Sequence, residues 1–337
     1  MPKAELHLHL EGTIRPETAL ELMRRNNSPS LPEQPDQIKN LYRFRNLAEF
    51  VNSMRSVTNN IRFLEDLQKI TLEMLTSLAI QNVKYVEFDC AVQKYIDMGY
   101  TLKEVVESIY QTVVEFQADH DIAVKMVVNI QRLYGGKEAI QLIEKIALLN
   151  HPFIVGIGLS GDEAKYPPDL FTEAFLLAQQ LDLHRTAHAG EAVGPKSVWN
   201  ALKCLNVERI DHGTRAIEDP DLVDHLSRHK IPLTQCLTSN LRLNVVKKIN
   251  DHPFYTFYKK GIPVSLNTDD PQIFNTELTQ EYILAAEIYQ LDKQDLENLV
   301  MNGLRAAFLP DEEKSQIITE VCSEFRTLSN DEGDHHE

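Results

Sequence analysis

The sequence predicts a single α/β domain built as a closed (β/α)8 TIM-type barrel, with an extra helical insertion after the first strand. Three observations carry this. Short apolar runs of strand character recur eight times along the chain. Helical stretches long enough to cross back over a parallel sheet separate them. His, Asp and Glu residues gather at the ends of several runs, which in a barrel of parallel strands converge on one mouth.

In chain order the strand-like runs are residues 4–8, 83–89, 124–130, 154–159, 184–188, 209–212, 232–235 and 263–267. Helical periodicity marks 102–118, 136–149, 170–181 and 195–205 between them. The insertion, residues 15–81, has room for two or more helices. Within it Leu47, Phe50, Val51 and Met54 have the spacing of one apolar helix face, which suits a lid over the mouth and equally an ordinary packing face. Neither a repeat nor a Gly/Ser-rich linker divides the chain, so one domain over residues 1–328 is expected. The acidic stretch 329–337 reads as a disordered tail.

Composition narrows the partners. With 34 Lys and Arg against 50 Asp and Glu, the formal charge of the 337-residue chain is -16, which repels nucleic acid unless a basic patch overrides it. Arg242, Lys247 and Lys248 cluster in sequence but read as a solvated loop. Cys90, Cys204, Cys236 and Cys322 are widely separated without a CxxC spacing, and no secretory segment precedes the first polar motif. A reducing, cytoplasmic setting follows as the expectation. The apolar runs are too short for a membrane span, and a monomer is the default.

The chemistry lies at the strand ends. His7 and His9 flank Leu8, so the period of two puts both imidazoles on one face, half of a metal site. The fifth run ends in His188-Ala189-Gly190-Glu191, the sixth in Asp211-His212-Gly213 and the eighth in Asn267-Thr268-Asp269-Asp270. One such His is more often an ordinary polar contact than a ligand; their joint placement at four strand ends reverses that. Imidazoles combined with a carboxylate suit Zn2+ better than Mg2+ or Ca2+, with Fe(II), Co or Mn as alternatives. A metal-dependent hydrolase is the expected class.

At these residues the chain resembles the adenosine deaminase family, through HLHLEGTIRP, GLSGDE, HAGE, ERIDHGTRAIEDP, CLTSN and SLNTDDPQIF, in matching order from Glu5 to about Lys314. The resemblance implies one Zn2+ per chain held by His7, His9, His188 and Asp269, with His9 also facing the substrate. It further implies Glu191 as the proton donor to purine N1 and His212 beside the metal-bound water. Asp270 is implied to bond purine N7, the Gly161 backbone to meet N3, and Glu11 to reach the ribose hydroxyls. The expected substrate is a purine nucleoside or base, and the expected reaction is hydrolysis of adenosine to inosine and ammonia.

The sequence also departs from the pattern. Glu11 stands where adenosine-specific members carry Asp, as in related adenine and aminodeoxyfutalosine deaminases. Asp89 replaces an Arg common after the second strand, and Asp211 replaces the Gly of IGHG. GLSGDE and SLNTDDPQIF lean toward adenosine, whereas PLTQCLTSNLRLNVV leans toward the adenine branch. Aminodeoxyfutalosine and free adenine are therefore the alternative substrates. A catalytically inactive barrel acting as a binding protein is the alternative of a different class, and the retention of Glu191 and of every ligand speaks against it.

Overall fold

The computed structural model of the protein describes residues 1–44 and 47–333, with side chains except at 47, 48 and 329–333. Eight parallel strands run in the order of the chain: β1 (Lys3–Glu5), β2 (Val83–Cys90), β3 (Ala123–Gln131), β4 (Ile154–Ser160), β5 (His184–Ala189), β6 (Arg209–His212), β7 (Leu233–Gln235) and β8 (Val264–Leu266). Each pairs with the next, and helices lie between successive strands, so the (β/α)8 barrel is the observed architecture.

Local chemistry explains the helix boundaries. Thr101 and Glu104 form a reciprocal cap at the start of Leu102–Gln117, each side chain taking the other's backbone N–H. Pro195 and Pro220 open their helices at the position where a missing N–H costs nothing. Helix Gly136–Leu149 stops at Asn150, which turns left-handed at φ 44°. The apolar core packs between the outer surface of the sheet and the helices, from Ala4 and Val86 to Leu299 and Leu304.

The barrel interior is different, because polar residues fill it. Arg209 of β6 is buried against Glu87 of β2 at 2.8 Å, and its guanidinium lies over the Phe308 ring at 4.2 Å. The Glu87 carboxylate also accepts from Tyr85 Oη and Phe308 N. Above this layer lie Asp89 and Asp211, both buried.

Three boundaries differ from the sequence-based expectation by more than one residue. β1 ends at Glu5 rather than at residue 8, because the Leu6 N–H leaves the ladder and donates to Asn267 Oδ1 at 2.8 Å. The crossing between β4 and β5 begins as a tight turn, Pro168–Phe171, before Thr172–Gln180 becomes α-helical. The final helix, Asp311–Gly333, carries residues 329–333 that were expected to be disordered; residues 334–337 lie outside the described set.

The insertion contains helices Pro16–Arg25, Leu47–Thr58 and Leu64–Ile80. Phe50 stacks on Phe274 with ring centroids 5.2 Å apart and planes 11° from parallel, and Phe44 meets both rings edge-on. Met54 also packs on the core, Val51 faces solvent, and the Leu47 side chain lies outside the described residues. The apolar face therefore rests on Pro271–Phe274, the short helix that follows Asp270. Arg242 is the last residue of helix Leu237–Arg242, with its guanidinium 5.8 Å from the Phe44 ring, rather than part of a solvated loop. All four cysteines are free thiols. Among the described residues, no helix is long and apolar enough to cross a membrane.

Candidate active site

The site is built on the seam between the first and last strands. There Leu8 and Asp269 form an isolated bridge. His9 N–H donates to the Asp269 carbonyl and Asp269 N–H to the His7 carbonyl, both at 2.9 Å. Two backbone bonds therefore fix His7, His9 and Asp269 relative to one another before any side chain is considered.

Their side chains meet His188 from the end of β5. His7 Nε2 and His9 Nε2 lie 3.1 and 3.2 Å from His188 Nε2, and Asp269 Oδ1 lies 3.5 and 3.2 Å from His7 and His9 Nε2. All four donor atoms fall within 4.8 Å of one another. Tetrahedral ligands at zinc distances are separated by about 3.3 Å, so these spacings match a ligand shell. Mutual hydrogen bonding among three imidazole nitrogens does not account for them.

Hydrogen bonds behind these side chains orient their donor atoms toward one point. Thr234 donates its hydroxyl proton to Asp211 Oδ1 at 2.9 Å, which leaves Thr234 Oγ1 to accept from His7 Nδ1 at 3.1 Å. His7 Nε2 is then the bare nitrogen, pointed at the cluster. Thr186 holds the other Asp211 oxygen at 2.7 Å, and that oxygen lies 3.7 Å from His188 Nδ1. Ser239 donates to Asp269 Oδ2 at 2.6 Å, leaving Oδ1 to face the imidazoles.

The electrostatics are those of a nest built for positive charge. Burial is the largest single influence on His7 and His9 and opposes their charge, but the bond to Asp269 together with the charge of Asp211 at His7, and of Asp270 and Asp89 at His9, raises both above the ordinary histidine range. Burial likewise works against ionised Asp269, yet its bonds to His7 and His9 hold it well below the usual carboxylate range. Burial and the neighbouring imidazoles push His188 well down, toward the neutral form a ligand needs.

Beside the nest lie Glu191, His212 and Asp270. Glu191 Oε1 is 3.5 Å from His212 Nε2; burial, reinforced by Asp269 and other carboxylates, raises its pKa well above normal, favouring the protonated acid. A polar relay assigns the His212 tautomer. Phe254 N–H donates to His252 Nδ1, so His252 donates through Nε2 to Asn240 Oδ1, which also accepts from Thr214. The Asn240 amide nitrogen therefore faces His212 Nδ1 at 3.1 Å. His212 then carries its proton on Nε2, toward Glu191 and Asp269, and burial with the charge of His7 lowers its pKa to about 3.

Asp270 is buried and its Oδ1 has no hydrogen-bond partner among the described residues; burial and the Asp269 charge raise its pKa. Gly12 lies directly against it, since a Cβ there would sit 2.0 Å from Asp270 Oδ1. Glu11 is buried beside this contact, where its Oε1 accepts from Ala91 N–H at 3.0 Å with Cys90 and Tyr95 alongside. Gly161, at φ 105°, sits exposed on the loop after β4, in the left-handed region that favours glycine.

The structure thus brings His7, His9, His188, Asp269, Glu191, His212, Asp270 and Glu11 to one end of the barrel. Asp89, whose place was unassigned from sequence, lies buried under His9, with its N–H bonded to the Leu8 carbonyl at 2.7 Å. Sequence reading missed Thr234, Asn240, His252 and Arg132. The buried Arg132 bonds the carbonyls of His188 and Tyr166 at 2.7 and 2.6 Å. No periodicity marks such residues; the sole sequence hint was that Asn240 is the last residue of the CLTSN string.

Comparison with known proteins agrees with this geometry. The family model described as adenosine deaminase matches residues 2–324. An adenine deaminase of Cupriavidus metallidurans is 34% identical over 320 residues, covering 95% of this chain and 90% of its own. An aminodeoxyfutalosine deaminase of Streptomyces avermitilis is 33% identical over 323 residues, with the same coverages of 95% and 90%. Among solved structures, adenine deaminase from Arthrobacter aurescens superposes with a TM-score of 0.90 at 29% identity, covering 96% of this chain and 99% of that one. A Burkholderia ambifaria amidohydrolase with bound Zn gives a TM-score of 0.89 at 25% identity, over 98% of this chain and 92% of that one.

Proposed function

The chain belongs to the adenosine deaminase family, an aminohydrolase lineage acting on purine C–N bonds, and on that premise we propose that it deaminates a 6-aminopurine nucleoside, with adenosine as substrate and zinc as metal. The observation that carries the reading is the Glu191 carboxyl beside a four-donor nest formed by His7, His9, His188 and Asp269. That nest fits one divalent ion, and the zinc in the Burkholderia ambifaria structure supports its identity. When bound there, the metal supplies a hydroxide nucleophile at neutral pH by lowering the pKa of water toward about 7.

The protein's own groups then have defined tasks. Glu191, held as the acid by its surroundings, delivers a proton to purine N1 and so draws electrons away from C6. Asp270, with an unpartnered Oδ1, bonds N7 as a neutral donor. His212 presents Nε2–H toward the reacting face, which suits it to hold the incoming oxygen and stabilise its charge. Glu11 uses Oε1 on Ala91 and leaves Oε2 for a ribose hydroxyl, while the Gly161 backbone lies within the loop assigned to N3. Water replaces the 6-amino group, and the products are the 6-oxopurine and ammonia.

Free adenine is the second reading, favoured by the adenine deaminases among the relatives and structural neighbours. Ammonia release and the ultraviolet shift from 6-amino to 6-oxo purine, followed on zinc-loaded protein with adenosine, aminodeoxyfutalosine and adenine in turn, separate the readings. Adenosine ahead by orders of magnitude supports the nucleoside assignment, adenine ahead supports the second reading, and no release from any of the three overturns deamination. In the same assay Glu191→Gln is expected to lower kcat by on the order of a hundredfold or more while metal content holds.

A further inference from the structure

Glu163 follows the exposed Gly161 turn by two residues, yet it is only 4% exposed. Among the described residues no cation closes a salt bridge on it. Its carboxylate accepts instead from three backbone groups: Gly190 N to Oε1 at 2.6 Å, and Ala192 N and Val193 N to Oε2 at 2.9 Å each. These donors bracket Glu191 in a stretch that is neither helix nor strand. Backbone N–H groups arranged in this way form an anion nest, and here the anion is a side chain from the neighbouring β4 loop.

The opposite edge of the same stretch is also tied. Arg215 N–H donates to the Gly190 carbonyl at 2.8 Å, and Arg215 Nη1 donates to the Ala192 carbonyl at 3.0 Å. The loop is therefore held through its N–H groups by the β4 side and through its carbonyls by the β6 side. The charged partner on the β4 side is the stronger tether, because hydrogen bonds to an ionised acceptor are about twice as strong as neutral ones. Glu163 itself makes no hydrogen bond to His7, His9, His188, His212, Asp269 or Asp270.

We propose that Glu163 is a positioning residue that sets the Glu191 carboxyl against the purine by clamping the backbone on both sides of it. The proposal rests on Glu191 being the proton donor. Glu163→Gln removes the charge and places an amide donor against one or two of the three N–H groups, so it disrupts the clamp with little change in volume.

The test is a double-mutant cycle on zinc-loaded full-length protein, measuring kcat, KM and metal content for wild type, Glu163→Gln, Glu191→Gln and the double variant. Glu163→Gln is expected to lower kcat by on the order of tenfold to a hundredfold, the cost of misplacing a reacting group by about an ångström, with zinc content unchanged. In the Glu191→Gln background the same change is expected to cost less than about twofold, since the two residues act through one group. Amide exchange is expected to quicken in the peptide spanning residues 188–194. Glu163→Asp, which keeps the charge but shortens the reach, is expected to fall between wild type and Glu163→Gln in both readouts. Equal kcat losses in the two backgrounds, or unchanged exchange at 188–194, overturn the positioning role. Full activity in Glu191→Gln alone removes the donor assignment itself, an outcome that the single-variant column distinguishes from failure of the clamp.

Discussion

His212 and Asp269 adopt left-handed backbone at φ 63° and 66°, a conformation that costs a residue with a Cβ about 1 kcal/mol or more. Both stand where a strand gives way to the mouth, and the turn swings each side chain inward. Asp211, one residue before His212, shows how the buried layer beneath acts on the ligands, since it grips His7 through Thr234 and approaches His188. Asp211→Asn is expected to weaken metal binding by about tenfold to a hundredfold, as loss of such outer partners does, in competition with a chelator. The pairing of His7 with His9 was readable because a period of two at the end of the first run puts both imidazoles on one face. The roles of Asn240 and His252 were not readable, because they lie in a chain of bonds that reaches His212 from Asn240 across 28 positions of sequence and continues to His252.

At the scale of elements, the insertion acts on the site through aromatic contacts to Phe274. Phe50 presses on Phe274, four residues beyond Asp270, so the helix Leu47–Thr58 braces the loop assigned to purine N7. Phe50→Ala is expected to raise KM several-fold and to lower Tm by a few degrees, an aromatic pair contributing about 0.5–1.5 kcal/mol beyond its area; steady-state kinetics and thermal melting check both. Unchanged KM would reduce the contact to core packing. The strands of the barrel were recognisable within one or two residues, because each is a short apolar run between helical stretches. β1 was the exception, since the departure of Leu6 from the ladder depends on Asn267, which approaches only after the barrel has closed.

At the scale of the whole molecule, the interior depends on a buried ion pair where many barrels stack aliphatic side chains. Glu87→Leu leaves Arg209 charged and without its carboxylate partner, and is expected to cost about 3–5 kcal/mol in urea unfolding of the zinc-loaded protein. A loss below about 1 kcal/mol would mean that Asp211, 3.9 Å from Arg209 Nε, compensates. This pairing of β2 with β6 was invisible in sequence, since Glu87 and Arg209 stand 122 positions apart and meet only across the closed barrel.

The seam between β8 and β1 joins strands from opposite ends of the chain, and its backbone closure runs through His7, His9 and Asp269. An ion held by these three residues and His188 would therefore brace the closure of the barrel as well as serve the chemistry. Were that seam to part, the first and last strands would present two facing free edges, the kind of surface that recruits other chains, so whatever holds His7, His9 and Asp269 together would govern not only turnover but also whether the newly made protein stays apart from its neighbours.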